Sequence, residues 1–174
     1  MIAFRHNDSR FPFLWEDADQ PAARWHRHGE GPVQYMADTP SGAWAEFLRH
    51  EEIVDEVDLA GVSRAIWAIR IDDEDFASPA LPDEAIRGGT ESYAACQEEA
   101  ARLRGEGAVA LRTRSAALRD GAAGGWRVEL GMRPGEDADG QVIVLFGARP
   151  HAIGWMVVDR GRPPAELLPL VRRP

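Results

Sequence analysis

Residues 24–47 read RWHRHGEGPVQYMADTPSGAWAEF, and this stretch decides the fold class and the candidate site. Val33 to Met36 has the composition of a strand. Asp38-Thr39-Pro40 follows, which places a capping side chain and a proline at the first turn of a helix. The apolar residues of that helix recur with a helical period, so one face is predicted to pack on the core. They are Ala43, Trp44, Phe47 and Leu48.

Outward from this stretch, the chain predicts an α+β fold. A short strand is predicted at Ile2 to Arg5, and a long loop over Asn7 to Gly31, because the loop segment follows neither structural period. Towards the carboxyl terminus, the patterns predict a strand at Ala65 to Ile71, an acidic loop at Asp72 to Asp75 and a helix from Thr90 to Gly105. Four further strands are predicted after this helix, at Ala108 to Leu111, Trp126 to Leu130, Val142 to Phe146 and Ile153 to Val158. This mixed order favours one α+β domain over 1–174 and argues against a Rossmann sheet.

Composition and charge exclude several classes of protein. The 174 residues are 44% hydrophobic and include six tryptophans, enough for the packed core of one domain. The formal net charge is −9, which disfavours direct binding to nucleic acid. All 20 basic residues apart from histidine are arginine. The absence of lysine excludes Schiff-base chemistry on a lysine and a P-loop lysine.

Cysteine and hydropathy indicate a cytoplasmic protein without a membrane segment. Cys96 is the only cysteine, so an intrachain disulfide and a thiolate metal cluster are both excluded. Cys96 also lies in an apolar helical pattern, which is typical of an inert core thiol. The amino terminus turns polar at once, and the longest apolar run, Val142 to Phe146, is far shorter than the roughly 20 residues of a membrane span.

Neither a metal site nor a dinucleotide loop is predicted. His26 and His28 are two residues apart, and no histidine pair has the i, i+4 spacing of a helical metal site. The glycines of Gly121 to Gly125 follow no clear strand and open no helix, so this segment is predicted to be a turn.

Three residues in the opening stretch are candidates for chemistry. Arg24, Tyr35 and Glu46 recur at equal steps of 11 residues, on a predicted loop, strand and helix. Each has an ordinary explanation taken alone: a surface ion pair for the arginine, a half-buried strand position for the tyrosine and a solvated helix edge for the glutamate.

Taken together, these residues resemble the RES domain, a family named for an arginine, a glutamate and a serine. The early motifs of the family are matched by Arg24-Trp25, Gly29, Tyr35 and Ala43-Trp44-Ala45-Glu46. The leading arginine of the family corresponds to Arg5, its serine to Ser115, and its closing strand resembles the stretch from Val142 to Gly147. The sequence departs from the family where Ala22-Ala23 replaces two glycines and His26 replaces an asparagine.

The resemblance implies a fold, an activity and a partner. RES proteins are similar in fold to ADP-ribosyltransferase toxins, with a mixed, mainly antiparallel β core and flanking helices. They are toxins of bacterial toxin–antitoxin pairs, and their partner is a helix-turn-helix antitoxin of the Xre type. They act on NAD, which many of them deplete, while some transfer ADP-ribose to a protein. NAD is then a substrate, and no cofactor is expected. A monomer and a homodimer both remain open.

The chemistry of NAD cleavage calls for charged residues of the types found here. Breaking the nicotinamide–ribose bond develops positive charge at the ribose carbon, as in glycoside hydrolysis. An ionised carboxylate beside that carbon stabilises this charge, and Glu46 is the candidate for this role. A planar guanidinium suits pyrophosphate, which fits Arg24 and Arg5.

The remaining candidates are expected to hold the substrate. The ring of Tyr35 is suited to stack on nicotinamide while its hydroxyl bonds a polar neighbour. Ser115 is expected to hydrogen-bond the ribose or the amide, and Trp25 is included among the substrate-binding residues. Three alternatives to an NAD-depleting toxin stay open at this point: a protein ADP-ribosyltransferase that uses the same pocket, a binding module without turnover, and an unrelated α+β hydrolase.

Overall fold

The structure, a computed structural model, describes residues 1–72 and 75–173, so the acidic loop predicted at 72–75 lies partly outside the described residues. The strands are β1 (Ile2–Asn7), β2 (Val33–Ala37), β3 (Arg64–Arg70), β4 (Ala110–Arg114), β5 (Trp126–Val128), β6 (Met132–Pro134), β7 (Gln141–Phe146) and β8 (Ile153–Gly161). The α-helices are α1 (Pro40–His50), α2 (Asp83–Arg87) and α3 (Tyr93–Gly105). Short 3₁₀ helices lie at Glu56–Gly61, Thr90–Ser92 and Ala165–Leu170.

Six of the strands form one sheet in the order β4-β7-β2-β1-β3-β8. Every neighbouring pair in it is antiparallel. This order confirms the predicted α+β fold with a mainly antiparallel sheet. It also differs from the parallel sheet on which dinucleotide folds are built.

The sheet opens in its middle, between β1 and β2. Pairing between β1 and β3 is continuous from Ile2 with Arg70 to Asn7 with Ala65. Pairing between β2 and β7 is equally continuous along β2. By contrast, β1 and β2 are paired at a single position, where Phe4 lies opposite Ala37. The two halves of the sheet therefore diverge and leave a cleft between β1 and β2.

Helix α1 forms for the local reasons that the sequence indicates. The Thr39 hydroxyl accepts a hydrogen bond from the Gly42 backbone N–H at 3.0 Å, and Pro40 occupies the first turn. The apolar residues predicted for its core-facing side are all buried. Gly42 allows a close approach to β2, since a Cβ atom there would lie 2.9 Å from the Cβ of Ala37. This approach brings the middle of α1 to the edge of the cleft.

Helix α3 covers one face of β7. Its Cys96, Ala100 and Leu103 belong to the same core cluster as the alternate β7 residues Val142, Val144 and Phe146. The buried position of Cys96 agrees with its predicted core role. The predicted helix start at Thr90 is three residues early, because 90–92 form a 3₁₀ turn before α3.

Several elements that follow β3 differ from the sequence prediction. Helix α2 and strand β6 were not predicted, and both are too short to show a clear period. Strand β4 begins two residues later than expected. Strands β5 and β6 form a separate hairpin whose apolar side chains are 69% to 104% exposed.

Within the described residues, no helix combines the length and apolar character needed to cross a membrane.

Candidate active site

The cleft between β1 and β2 contains the candidate residues. It holds a cavity of about 1070 Å³, just above the roughly 300–1,000 Å³ typical of ligand pockets. Residues of β1, β2 and α1 line it, together with parts of the loop over 8–32. Five of the six residues singled out in the sequence are among the lining residues: Arg5, Arg24, Trp25, Tyr35 and Glu46. The sixth, Ser115, lies directly behind Glu46.

The carboxylate of Glu46 is held by a hydroxyl group whose orientation is fixed. Ser115 is 2% exposed, and its Oγ lies 3.0 Å from Oε1 of Glu46. The same Oγ accepts hydrogen bonds from the backbone N–H groups of Ala117 and Leu118, at 3.0 and 3.1 Å. Because both donors point at this oxygen, the single proton of Ser115 is directed at Glu46. The serine therefore orients the carboxylate, and a direct contact of Ser115 with substrate stays a prediction.

The charge state of Glu46 is set by opposing influences. Burial in the cleft wall raises the pKa of Glu46 above its ordinary value. The hydrogen bond from Ser115 and the positive charges of Arg49 and Arg24 favour the ionised form and oppose this rise. The net effect is a raised pKa, and the Ser115 hydrogen bond and the two arginines limit the rise.

Two guanidinium groups converge beside Glu46. Arg24 Nη2 donates to the Gly88 carbonyl at 2.7 Å, and Arg49 Nη2 donates to the same oxygen at 2.9 Å. Arg24 also donates to the Ser92 hydroxyl at 3.0 Å, and its guanidinium lies 4.7 Å from the ring centre of Tyr93. Arg49 was not singled out in the sequence. Its position three residues after Glu46, on the same helix, is the signal that could have found it.

A third arginine, Arg5, lies on the opposite side of the cleft. Its Nη1 donates to Oε1 of Gln34 at 2.7 Å, so a side-chain bond spans β1 and β2 where their backbones part. The same Gln34 oxygen accepts from the Trp15 N–H at 3.1 Å and thereby holds the long loop over the cleft. Burial lowers the pKa of Arg5 to about 10, which leaves it charged at neutral pH. Gln34 is a second functional residue that sequence reasoning missed.

Most of the arginines that line the cavity are not in ion pairs with described residues. Among the described residues, four of the five lining arginines have no carboxylate oxygen within 4.0 Å of a guanidinium nitrogen; only Arg114 does, with Asp83, Asp120 and Asp139. The four are Arg5, Arg24, Arg49 and Arg64. Seven acidic residues also line the cavity, so it is not cationic as a whole, and these four guanidinium groups are the part of it that is suited to contact an anionic ligand.

Tyr35 and Trp25 are joined through the backbone. The Trp25 N–H donates to the Tyr35 hydroxyl at 3.0 Å, and Nδ1 of His26 lies 2.9 Å from the same oxygen. The indole of Trp25 is 1% exposed and packs in the core beneath the cavity. Burial raises the pKa of Tyr35, so its phenol stays protonated at neutral pH.

The part of the chain that the structure describes contains no group of three or more histidine, cysteine, aspartate or glutamate residues placed to hold a metal ion. Within the described residues, the cavity lining combines aromatic rings with four arginines that lie outside ion pairs, and seven carboxylates, Glu46 among them, also line it. Such a mixed lining suits an organic ligand that carries anionic groups.

Comparisons with known proteins assign the chain to a family. No curated protein sequence matches it significantly. Among solved structures, a chain of the crystal structure of the M. tuberculosis MbcT–MbcA toxin–antitoxin complex is similar in fold, with a TM-score of 0.59 and 13% identity over 88% of this chain and 83% of that one. The model of the RES domain family matches residues 2–164. This match includes all six candidate residues and confirms the resemblance that residues 24–47 suggest. The chain belongs to the RES domain family.

Proposed function

We propose that this protein is the toxin of a bacterial toxin–antitoxin pair and that it depletes NAD by cleaving the nicotinamide–ribose bond. The observation that carries this proposal is the carboxylate of Glu46, held by Ser115 at 3.0 Å and placed beside unpaired arginines in one cavity. A carboxylate in the cleft wall next to a site for a polyanion matches the two charged regions of NAD during cleavage. These regions are the pyrophosphate and the developing cation at the ribose carbon.

In the proposed reaction, the bond between C1′ of the ribose and the nicotinamide nitrogen breaks, and its electron pair goes to that nitrogen. Neutral nicotinamide leaves, and C1′ becomes electron-deficient. Glu46 stabilises this centre, and it needs no reorganisation to do so because Ser115 already fixes one of its oxygens. Arg24 binds the pyrophosphate through the planar fork of its guanidinium, and Arg49 lies beside it. The acceptor that then bonds to C1′ is water, phosphate or a protein side chain.

A protein partner is part of the proposal. An enzyme that consumes NAD without restraint would stop the growth of its own host. The solved structure with a similar fold comes from a toxin–antitoxin complex, which supports an antitoxin partner for this chain. We propose an antitoxin of the Xre helix-turn-helix type, as the family resemblance implies, acting with the toxin in the cytoplasm.

The decisive experiment follows nicotinamide release from NAD by the purified protein. We expect release by the wild-type chain. We expect E46Q to lower kcat by about 10²–10³-fold with little change in KM, because the lost charge matters mainly near the transition state. The matched control is E166Q, which makes the same change at an exposed position far along the chain. Circular dichroism checks that each variant is folded.

The same assay separates the alternatives when the NAD carries a label in its adenosine half. Nicotinamide release without labelled protein supports depletion of NAD. Release accompanied by labelled protein supports an ADP-ribosyltransferase that uses the same pocket. No release, together with measurable NAD binding, supports a binding module. An E46Q variant that turns over NAD at the wild-type rate would remove Glu46 from the mechanism.

A further inference from the structure

The hydroxyl of Tyr35 has two nitrogen neighbours on one segment of chain. The backbone N–H of Trp25 donates to it at 3.0 Å, and Nδ1 of His26 lies 2.9 Å away. The backbone of His26 is itself fixed, since it exchanges hydrogen bonds with Ala23 in both directions, at 3.0 and 3.3 Å. The Gln97 side chain donates to the His26 carbonyl at 3.2 Å. The imidazole therefore has a defined position against the phenol.

The other ring nitrogen of His26 identifies the tautomer. Nε2 is buried and has no partner in hydrogen-bond geometry among the described residues. The backbone carbonyl of Pro21 lies near enough to the ring to act to raise the pKa of His26, but it makes no hydrogen bond with Nε2. If the ring proton were on Nε2, this buried N–H would have no acceptor in good geometry, which folded proteins avoid more strictly than an unused acceptor. If the proton is on Nδ1, it lies within hydrogen-bond distance of the Tyr35 oxygen. Burial also lowers the pKa of His26, which favours the neutral ring and therefore a single ring proton.

We propose that His26 is a positioning residue for Tyr35, and that its Nδ1–H donates to the Tyr35 hydroxyl so that the phenolic proton is directed into the cavity. A phenol oxygen accepts at most two hydrogen bonds and donates one. Trp25 and His26 then fill both acceptor positions, so the proton of Tyr35 is free to bond a ligand. The identity of the substrate in this inference rests on the proposed function. With NAD as that substrate, the Tyr35 hydroxyl donates its hydrogen bond to an acceptor atom of NAD.

The acceptor that fits this geometry is a neutral oxygen in the nicotinamide–ribose half of the substrate. The phenol is protonated, and the phosphates are better served by the unpaired arginines. In the opposite tautomer, the phenolic proton would be directed at Nδ1, and Tyr35 would offer the cavity no donor. The two arrangements therefore differ in what they present to the substrate.

A pair of substitutions tests this arrangement through kinetics. In H26N, the amide nitrogen lies two bonds from Cβ, as Nδ1 does, and it can donate to Tyr35. In H26D, an oxygen occupies the same place and only accepts, which draws the phenolic proton out of the cavity. We expect kcat/KM for NAD to be about tenfold lower in H26D than in H26N. In the Y35F background, this difference is expected to disappear, because the hydroxyl is absent. Equal values for H26N and H26D, or a difference that persists in Y35F, would overturn the proposal.

An NMR measurement tests the same inference without any turnover. Correlation of the imidazole carbon-bound protons with both ring nitrogens in the ¹⁵N-labelled wild-type protein shows which nitrogen of each histidine carries the proton. The signals of His26 are the set that is missing from H26N. We expect the proton on Nδ1, and a proton on Nε2 refutes the inference. Because this readout needs no activity, a protein that fails to release nicotinamide would refute the proposed function and would still show which nitrogen of His26 is protonated.

Discussion

At the scale of single residues, two hydroxyl groups of the cleft share one arrangement. The Ser115 oxygen accepts from two backbone N–H groups and directs its proton at Glu46. The Tyr35 oxygen accepts from Trp25 and, in our proposal, from His26, which directs its proton into the cavity. In both cases the protein fills the acceptor positions of the hydroxyl, so the remaining proton can point in only one direction before substrate arrives.

Removal of the Ser115 hydroxyl is expected to change both stability and the pH profile. S115A leaves two buried backbone N–H groups without an acceptor, so the free energy of unfolding should fall by about 1–3 kcal/mol. The same hydroxyl lowers the pKa of Glu46, so its loss raises that pKa. In the proposed mechanism the ionised carboxylate is the active form, so the acidic limb of kcat should move to higher pH.

Urea denaturation and a kcat–pH series measure the two effects of S115A. The control is S63A, which removes a hydroxyl from an exposed position and should change neither quantity. An acidic limb that stays in place in S115A would show that this hydroxyl does not tune Glu46.

Substitution of Arg24 by lysine tests the binding of pyrophosphate. R24K keeps the positive charge but loses the planar guanidinium, which hydrogen bonds to Ser92 and Gly88 hold beside the cavity. Because the proposed contact of this guanidinium with pyrophosphate serves the substrate in its ground state, we expect KM for NAD to rise about tenfold and kcat to fall less. Steady-state kinetics of R24K and of its control R133K measure both constants. R133K makes the same change at an exposed position. A fall in kcat without a rise in KM would assign Arg24 to the transition state instead.

At the scale of elements, the sequence predicts what local chemistry determines. Helix α1 was predictable because Thr39 and Pro40 mark its start and its apolar residues recur with the helical period. Helix α2, with five residues, and strand β6, with three, were not predictable, because elements of this length show no clear period. The opening between β1 and β2 was equally out of reach, since it depends on pairing between distant parts of the chain.

The candidate site likewise contains residues that the sequence reveals and residues that only the folded structure reveals. Arg24, Tyr35 and Glu46 were found from their spacing and the family resemblance, and the structure places all three on one cavity. Arg49 and Gln34 were not found. Their roles come from contacts with the Gly88 carbonyl, 39 residues away, and with Arg5, 29 residues away. Such contacts form only once the sheet and helices are assembled.

The cap of α1 offers a test at the scale of one element. The Thr39 hydroxyl satisfies the Gly42 N–H at 3.0 Å, so T39A should lower the free energy of unfolding by about 1 kcal/mol. T39S keeps the oxygen and should stay close to wild type. The midpoint of urea denaturation compares the three proteins. If T39A and T39S have the same midpoint, the cap does not contribute to stability.

At the scale of the whole molecule, the placement of arginines distinguishes the cleft from the rest of an acidic chain. The chain carries a net charge of −9, yet four arginines without a carboxylate partner among the described residues line one cavity, together with seven acidic residues. The acidic chain as a whole repels nucleic acid, while these four arginines offer hydrogen-bond donors to the anionic groups of a small ligand. This distinction fits a division of labour in which the antitoxin partner of our proposal contacts DNA and this chain acts on NAD.

The burial of His6, together with the positive charges around it, makes the stability of the whole protein sensitive to acid. Enclosure in the cavity wall, followed by the charges of Arg64, Arg5 and His50, lowers the pKa of His6 to about 3. In the unfolded chain this pKa is about 6.5. Between these two values the unfolded state binds a proton that the folded state does not, so acidification from about pH 6.5 towards pH 3 favours unfolding. The loss is expected to approach about 1.4 kcal/mol per pH unit from this one group.

Replacement of His6 by asparagine should remove that contribution. The Asn side chain can still offer an oxygen to Arg64, whose Nη2 lies 3.4 Å from Nδ1 of His6, but it takes up no proton. Urea denaturation of H6N at several pH values between 4 and 7 should therefore show a weaker dependence of the free energy of unfolding on pH. We expect its slope to be smaller than in wild type by up to about 1.4 kcal/mol per pH unit, the value for one proton. H151N makes the same change at an exposed position and should leave the slope unaltered. The buried carboxylate of Glu99, whose pKa Arg102 lowers to about 2, stays in both proteins and contributes only at the acidic end of this range. A wild-type slope in H6N would mean that His6 is protonated in the folded protein, and that burial and the neighbouring arginines do not hold it neutral.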